Sequence, residues 1–215
     1  IIKYLWFDAY VESAGSDFIK ENVPRVIHLI GSPAFNSNGT IVLGTAEGGQ
    51  KVTLYMVNRL TDDKLKDYSY LNNYYFHTMH HEFTHILNQK KPYDRNFEKV
   101  TASGYISGDW SQIEDDDAIK KGFVSAYAMS EGKEDFAEML ATYVTVTTDE
   151  WNAILSKAGD NMLEENITAK VALEQKIAFV KDYMIKSWGV DLDQLRDAVL
   201  HRGNDLSSLD LEHLN

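Results

Sequence analysis

The stretch His77-Thr-Met-His-His81-Glu82-Phe-Thr-His85-Ile-Leu-Asn-Gln89 decides how this chain is read. Residues 72–89 hold no Gly or Pro and carry apolar side chains at helical spacing, so they predict a helix. On that helix His81 and His85 stand four apart on one face, with Cβ atoms roughly 5–6 Å apart, so both imidazoles can reach a single metal ion. Glu82 lies about 100° round the helix from His81, beside the ion, where it can take a proton from bound water. Zinc lowers the pKa of such a water to around 7 and makes it a nucleophile at neutral pH. An accidental HExxH is expected about once or twice in a hundred chains of this size. His77 extends the stripe to i, i+4, i+8 and stays open as a neighbour or replacement ligand, although only the His81/His85 register encloses a glutamate. His80 faces about 100° away from His81 and reads as a packing or surface residue.

A catalytic zinc takes a third protein ligand and leaves one position open. The metzincin pattern would place a glycine and a further histidine where this chain has Asn88 and Lys91, and the inverted HxxEH motif is absent. A carboxylate from another helix is therefore expected. The best segment is Ser130-Glu-Gly-Lys-Glu134-Asp-Phe-Ala-Glu138-Met-Leu140, in which Glu134 and Glu138 share a face while Phe136, Met139, Leu140 and Tyr143 supply apolar packing. One glutamate can bind the metal, and the other can accept a hydrogen bond from a histidine ring N–H and fix its orientation.

The 215 residues are 44 % hydrophobic and 25 % charged, the profile of an ordinary soluble globular protein, and we read them as one unit spanning 1–215. A net charge of −12 argues against nucleic acid or an anionic lipid surface as partner. With no cysteine there is no disulfide, thiolate zinc site or thiol nucleophile, so a catalytic metal must sit on His and carboxylate. No apolar run approaches the roughly 20 residues of a membrane-spanning helix, and no signal segment is present. The chain opens at Ile1 rather than methionine, which suggests an N-terminal piece processed off or omitted.

Residues 4–22 read as helical, ending near Pro24. Short strands are expected at Arg25–Ile30, Ile41–Leu43 and Lys51–Val57, with turns at Asn36-Ser-Asn-Gly39 and Gly48-Gly49, giving a small sheet within about 1–90. Thr61-Asp-Asp-Lys64 has a polar helix opening, and residues 91–112 read as loops, whose Tyr93, Phe97, Tyr105 and Trp110 are read as core or rim packing, with lining of a cleft as the alternative. The acidic run Glu114–Asp117 reads as a solvated helix start, with a calcium site as the sharper alternative. Helices are expected at Glu134–Val146, Thr148–Lys157, Leu163–Ser187 and Asp191–His201, making about 113–205 helical and the fold α+β.

HEFTH followed by Glu134-Asp-Phe-Ala-Glu138 resembles the glutamate-zincins (gluzincins), and within them the catalytic domain of anthrax lethal factor, whose sites pair HEFxH with ExFAE. Tyr127 stands seven residues before Glu134 (134 − 127 = 7), the offset of that family's catalytic tyrosine. The resemblance implies a zincin-like metalloprotease fold, Glu134 as third ligand, Glu138 behind it, and Tyr127 as hydrogen-bond donor to the oxyanion or leaving amine. Taken alone, Tyr127 would read as a core or surface aromatic. Over most of residues 1–200, through HHEFTHILNQ, GFVSAYA and EDFAEMLATYV, the chain resembles still more a family of zinc-binding metallopeptidase lipoproteins of Bacteroidetes encoded beside outer-membrane nutrient-import systems. That resemblance implies an extracytoplasmic, lipid-anchored precursor, a peptide or protein substrate, and an outer-membrane import complex as partner.

The function expected is hydrolysis of a peptide bond with one Zn2+ ion, Glu82 as general base and Tyr127 opposite. Two rivals are a non-catalytic lipoprotein that hands peptide or glycan to an importer, and a zinc amidase, since HExxH specifies the water and not the chain that is cut.

Overall fold

Local chemistry punctuates the first quarter of the chain. A π-helical turn over Lys3–Phe7 runs into α1 (Asp8–Ala14), and Gly15, at φ 83°, breaks it from α2 (Ser16–Asn22). Val23 is extended, as the following Pro24 ring requires. Among the described residues five strands follow: β1 (Val26–Leu29), β2 (Ala34–Phe35), β3 (Ile41–Val42), β4 (Gly44–Glu47) and β5 (Lys51–Leu54). The computed structural model describes residues 1–36, 39–47 and 50–210, so the centres of the two expected turns, at 37–38 and 48–49, lie outside the described residues. The main sheet has the order β1-β5-β4, with β1 parallel and β4 antiparallel to β5, while β2 and β3 form a separate antiparallel pair. The strand expected at Ile41–Leu43 is thus two strands divided at Leu43, and the second continues to Glu47 as an edge of the main sheet.

The helix expected over 72–89 is longer and less regular. α3 (Tyr68–Leu71), a π-helical turn over Asn72–Phe76 and α4 (His77–Lys90) join end to end. Its start is not at Thr61, where the chain makes only a 3-10 turn over Lys64–Lys66; Asp67 supplies the cap by accepting from the Tyr70 N–H. Its end is set by Pro92, which holds Lys91 extended.

The loop region carries α5 (Asn96–Lys99) and 3-10 turns at Ala102–Gly104 and Ser107–Gln112. α6 (Asp115–Ile119) starts within the acidic run, where Asp115 accepts from the Ala126 N–H and Asp116 pairs with Lys157. α7 (Gly132–Thr145), α8 (Thr148–Ala158), α9 (Ala169–Trp188) and α10 (Leu192–Asp205) complete the chain. A reciprocal cap between Thr147 and Glu150 opens α8. The helix expected from Leu163 begins instead at Ala169, because Met162 and Thr168 pair as a β-bridge and the Thr168 side chain caps the helix by accepting from the Val171 N–H.

α7 is buried on almost every side from Glu134 to Thr145 and packs against α4, α9 and α10. α4 lies between α7 and β4. Its opposite face is clamped by rings: Phe83 meets Trp6, Tyr10 and Phe18 edge-on at centroid distances of 5.0, 5.1 and 6.0 Å. Edge-to-face pairs of this kind contribute about 0.5–1.5 kcal/mol each beyond the area they bury. They fix the rotation of α4, so that His81 and His85 are presented to α7. The architecture is the expected α+β one, with a small mixed sheet packed on the HEFTH helix and a helical C-terminal part.

Candidate metal and catalytic site

α4 and α7 bring three donor atoms to one point. His81 Nε2 lies 2.9 Å from Glu134 Oε2, His85 Nε2 lies 3.0 Å from the same oxygen, and the two nitrogens are 3.0 Å apart. The other nitrogen of His81, Nδ1, is 2.8 Å from Glu138 Oε1. An ionised carboxylate only accepts, so Nδ1 carries a hydrogen and the Nε2 lone pair of a neutral His81 is turned toward Glu134. Lone pairs converging in a buried place suit a cation between them. Tetrahedral ligation at about 2.0–2.1 Å places donors about 3.3 Å apart, so a small outward relaxation accommodates zinc. Glu134 is 8 % exposed, which excludes bulk water as the neutralising agent. Among the described residues, His81, His85 and Glu134 are the group whose atoms converge closely enough to hold an ion.

Without an ion a proton fills the gap. Burial pulls the His81 pKa down, but hydrogen bonds to Glu134 and Glu138 outweigh it and push it up to about 10. Burial raises both carboxyls, yet His81 and His85 hold Glu134, and His77 and His81 hold Glu138, well below the usual range. Glu82 behaves differently: burial raises its pKa against the pull of the two histidines. Its carboxylate accepts a backbone N–H bond from Ala46 on β4, which ties it to the sheet edge.

Around these residues opens a cleft of about 790 Å³, walled by Val42–Ala46 on one side and by Trp110, Ser125 and Tyr127 on the other. β4 reaches α4 so closely that a Cβ on Gly44 would stand 2.6 Å from Thr78 Cγ2 and 2.9 Å from the Thr53 carbonyl oxygen. Tyr127, on a 3-10 turn, is 38 % exposed, packs edge-on against Trp110 and hydrogen-bonds Glu134. Burial and the carboxylates raise its phenol far above the ordinary value, so it stays a donor.

The cleft brings together His81, Glu82, His85, Tyr127, Glu134 and Glu138. His77 lines the cleft with Nε2 3.3 Å from Thr142 Oγ1 and Nδ1 3.9 Å from Glu138, outside the converging triad. His80 is fully buried in the ring cluster with Nδ1 3.1 Å from Tyr10 Oη, as its packing reading expects. Of the four loop aromatics, Trp110 lines the cleft, whereas Tyr93 and Phe97 are buried and Tyr105 packs against the core. Sequence reasoning missed Ser125, which donates to Glu138 Oε2 at 2.6 Å, although it sits two residues from the singled-out Tyr127. It also missed Asp135 and Lys176, an ion pair at 2.7 Å with neither side chain exposed; partners 41 positions apart (176 − 135 = 41) leave no local signal.

Two histidines and a carboxylate placed to hold a cation, with a further glutamate beside them, define the metal-dependent hydrolase class. Comparison with known proteins narrows it: residues 1–193 match the family described as "Putative zinc-binding metallo-peptidase", and the chain belongs to that family. It is also similar to a crystal structure of a protein described in the same words, from Bacteroides caccae, with 44 % identity and a TM-score of 0.83 over 99 % of this chain and 77 % of that one. No curated protein matches. Among the described residues no helix is long and apolar enough to cross a membrane.

Proposed function

We propose that this chain, working as one unit over 1–215, hydrolyses peptide bonds with a single zinc ion held by His81, His85 and Glu134. The observation that carries the reading is the meeting of three donor atoms within 3.0 Å beside Glu82 in an open cleft. Zinc bound there supplies Lewis-acid polarisation of the scissile carbonyl and a water of lowered pKa. Glu82 takes the proton of the attacking water and passes it to the leaving amine; its burial raises its pKa above the ordinary carboxyl value. Tyr127, opposite, donates to the developing oxyanion. Glu138 orients His81 and is itself held by Ser125.

An extended substrate fits this site better than a compact one. β4 is a sheet edge along the cleft, and such an edge can pair with peptide backbone. This favours a peptidase over an amidase of compact substrates, and the glutamate beside the triad favours catalysis over simple binding. The HEFTH and EDFAE pairing supports a glutamate-zincin type, and the resemblance to Bacteroidetes lipoproteins supports an outer-membrane anchor and a role beside a nutrient importer. Incubation of the zinc-loaded protein with a diverse peptide library, with and without chelator, tests the activity. New peptide termini only in the chelator-free arm are expected; an unchanged library in both arms would refute it.

A further inference from the structure

Behind α7, on the side away from the cleft, a lysine ammonium is buried completely. Lys176 Nζ, from α9, lies 2.7 Å from Asp135 Oδ2 and donates to the Gly122 carbonyl at 2.8 Å, and its charge sits 3.7 Å from the centre of the Phe123 ring. Tyr105 donates to the same Asp135 oxygen at 2.8 Å. Asp135 immediately follows Glu134 on α7, and Gly122 opens the segment that carries Ser125 and Tyr127. On the cleft side these two pieces already meet, through Ser125 with Glu138 and Tyr127 with Glu134. At the back the Lys176 cluster joins them by directional polar bonds. Gly122 packs closely there: it holds φ at 80°, and a Cβ on it would stand 2.9 Å from the Ala172 Cβ.

We propose that Lys176 is a positioning residue for the metal site: one buried cation clamps the Glu134 wall to the Tyr127 wall and sets the separation at which Glu134 meets His81 and His85. The idea rests on the ligand reading above. A buried ion pair is weak evidence for stability, because an apolar pair of the same volume is often as stable. That physical fact separates the two roles. A pair kept only for packing can be neutralised without effect on the site; a clamp cannot, because its bond to the Gly122 carbonyl and its hold on Asp135 are directional.

The test compares the intact protein with the double variant Asp135→Asn/Lys176→Met, which removes both charges and keeps both volumes. Val180→Ala, a core deletion on the same helix, serves as the control. Cobalt(II) is the probe: affinity by chelator competition, geometry by the visible absorption of the bound ion, and folding by circular dichroism. We expect the double variant to fold, to bind cobalt at least about tenfold more weakly, as loss of a supporting partner does at metal sites, and to shift the visible band. The control should keep wild-type affinity and spectrum. Wild-type affinity and spectrum in the folded double variant would overturn the proposal. Should that variant fail to fold, Tyr105→Phe decides, because it removes only one bond to Asp135: a drop of about threefold or more is expected, and an unchanged affinity overturns the clamp. Failure of the wild-type protein to bind cobalt would instead overturn the ligand assignment.

Discussion

Replacing Glu138 by Gln removes a charge from beneath His81 while keeping the shape of the side chain. In the wild-type protein one carboxylate oxygen accepts from His81 Nδ1 at 2.8 Å and the other from Ser125 at 2.6 Å, in a place only 7 % exposed. Burial opposes ionisation, yet His77, His81 and Ser125 hold the carboxyl below its usual range, so it is charged throughout the neutral region. A charge-assisted bond is roughly twice as strong as a neutral one. Its loss makes the His81 lone pair less basic and loosens the ring. Changes in such supporting partners weaken metal binding about 10- to 100-fold, or about 1.4–2.7 kcal/mol at 1.36 kcal/mol per decade. Competition with a chromophoric chelator between pH 6.5 and 8 measures it. Zinc affinity within twofold of wild type would refute the argument that Glu138 sets the orientation and basicity of His81.

Three further outcomes are expected. Gly44→Ala forces β4 off α4 and should lower stability by about 1–3 kcal/mol, as overpacking does, with a fall in Tm measured by thermal unfolding; an unchanged Tm would show that the strand moves freely. Tyr127→Phe should keep full zinc content while lowering kcat about 10²- to 10³-fold, the usual loss of one oxyanion donor, measured on any peptide the wild type cleaves. In the zinc-free protein the His81 pKa is raised to about 10 in the fold, so its contribution is complete below about pH 6.5 and disappears as pH rises through 10. Glu134 and Glu138 are lowered, so theirs is present above about pH 4.5 and is lost on acidification. His77 and His80 are lowered by burial, so they cost stability as pH falls below about 6.5. Chelated protein should therefore be most stable near about pH 6.5, and a flat Tm from pH 5 to 10 would contradict the histidine–carboxylate cluster.

The HEFTH helix and the Glu134/Glu138 pair were readable because helical periodicity is local: four-residue spacing states which side chains share a face without reference to the rest of the chain. What the sequence could not supply was the meeting of the two helices, which depends on contacts between residues 53 positions apart, such as His81 with Glu134 (134 − 81 = 53). Tyr127 was reached only through family resemblance, for nothing in Ser125-Ala-Tyr127 distinguishes it from a packing aromatic. The start of α9 was misplaced because residues 163–168 look helical in composition, while the Met162–Thr168 bridge is a tertiary choice. The same limit hid the Asp135–Lys176 pair, since a buried charge is visible in a sequence only when its partner is a neighbour.

The role proposed for Glu82 is to take a proton from a metal-activated water. One preparation of Glu82→Gln, assayed together for zinc by elemental analysis and for peptide cleavage, tests it most directly. We expect one zinc per chain with hydrolysis reduced about 10²- to 10⁴-fold, the usual contribution of a general base; cleavage at the wild-type rate with zinc in place would remove Glu82 from the mechanism.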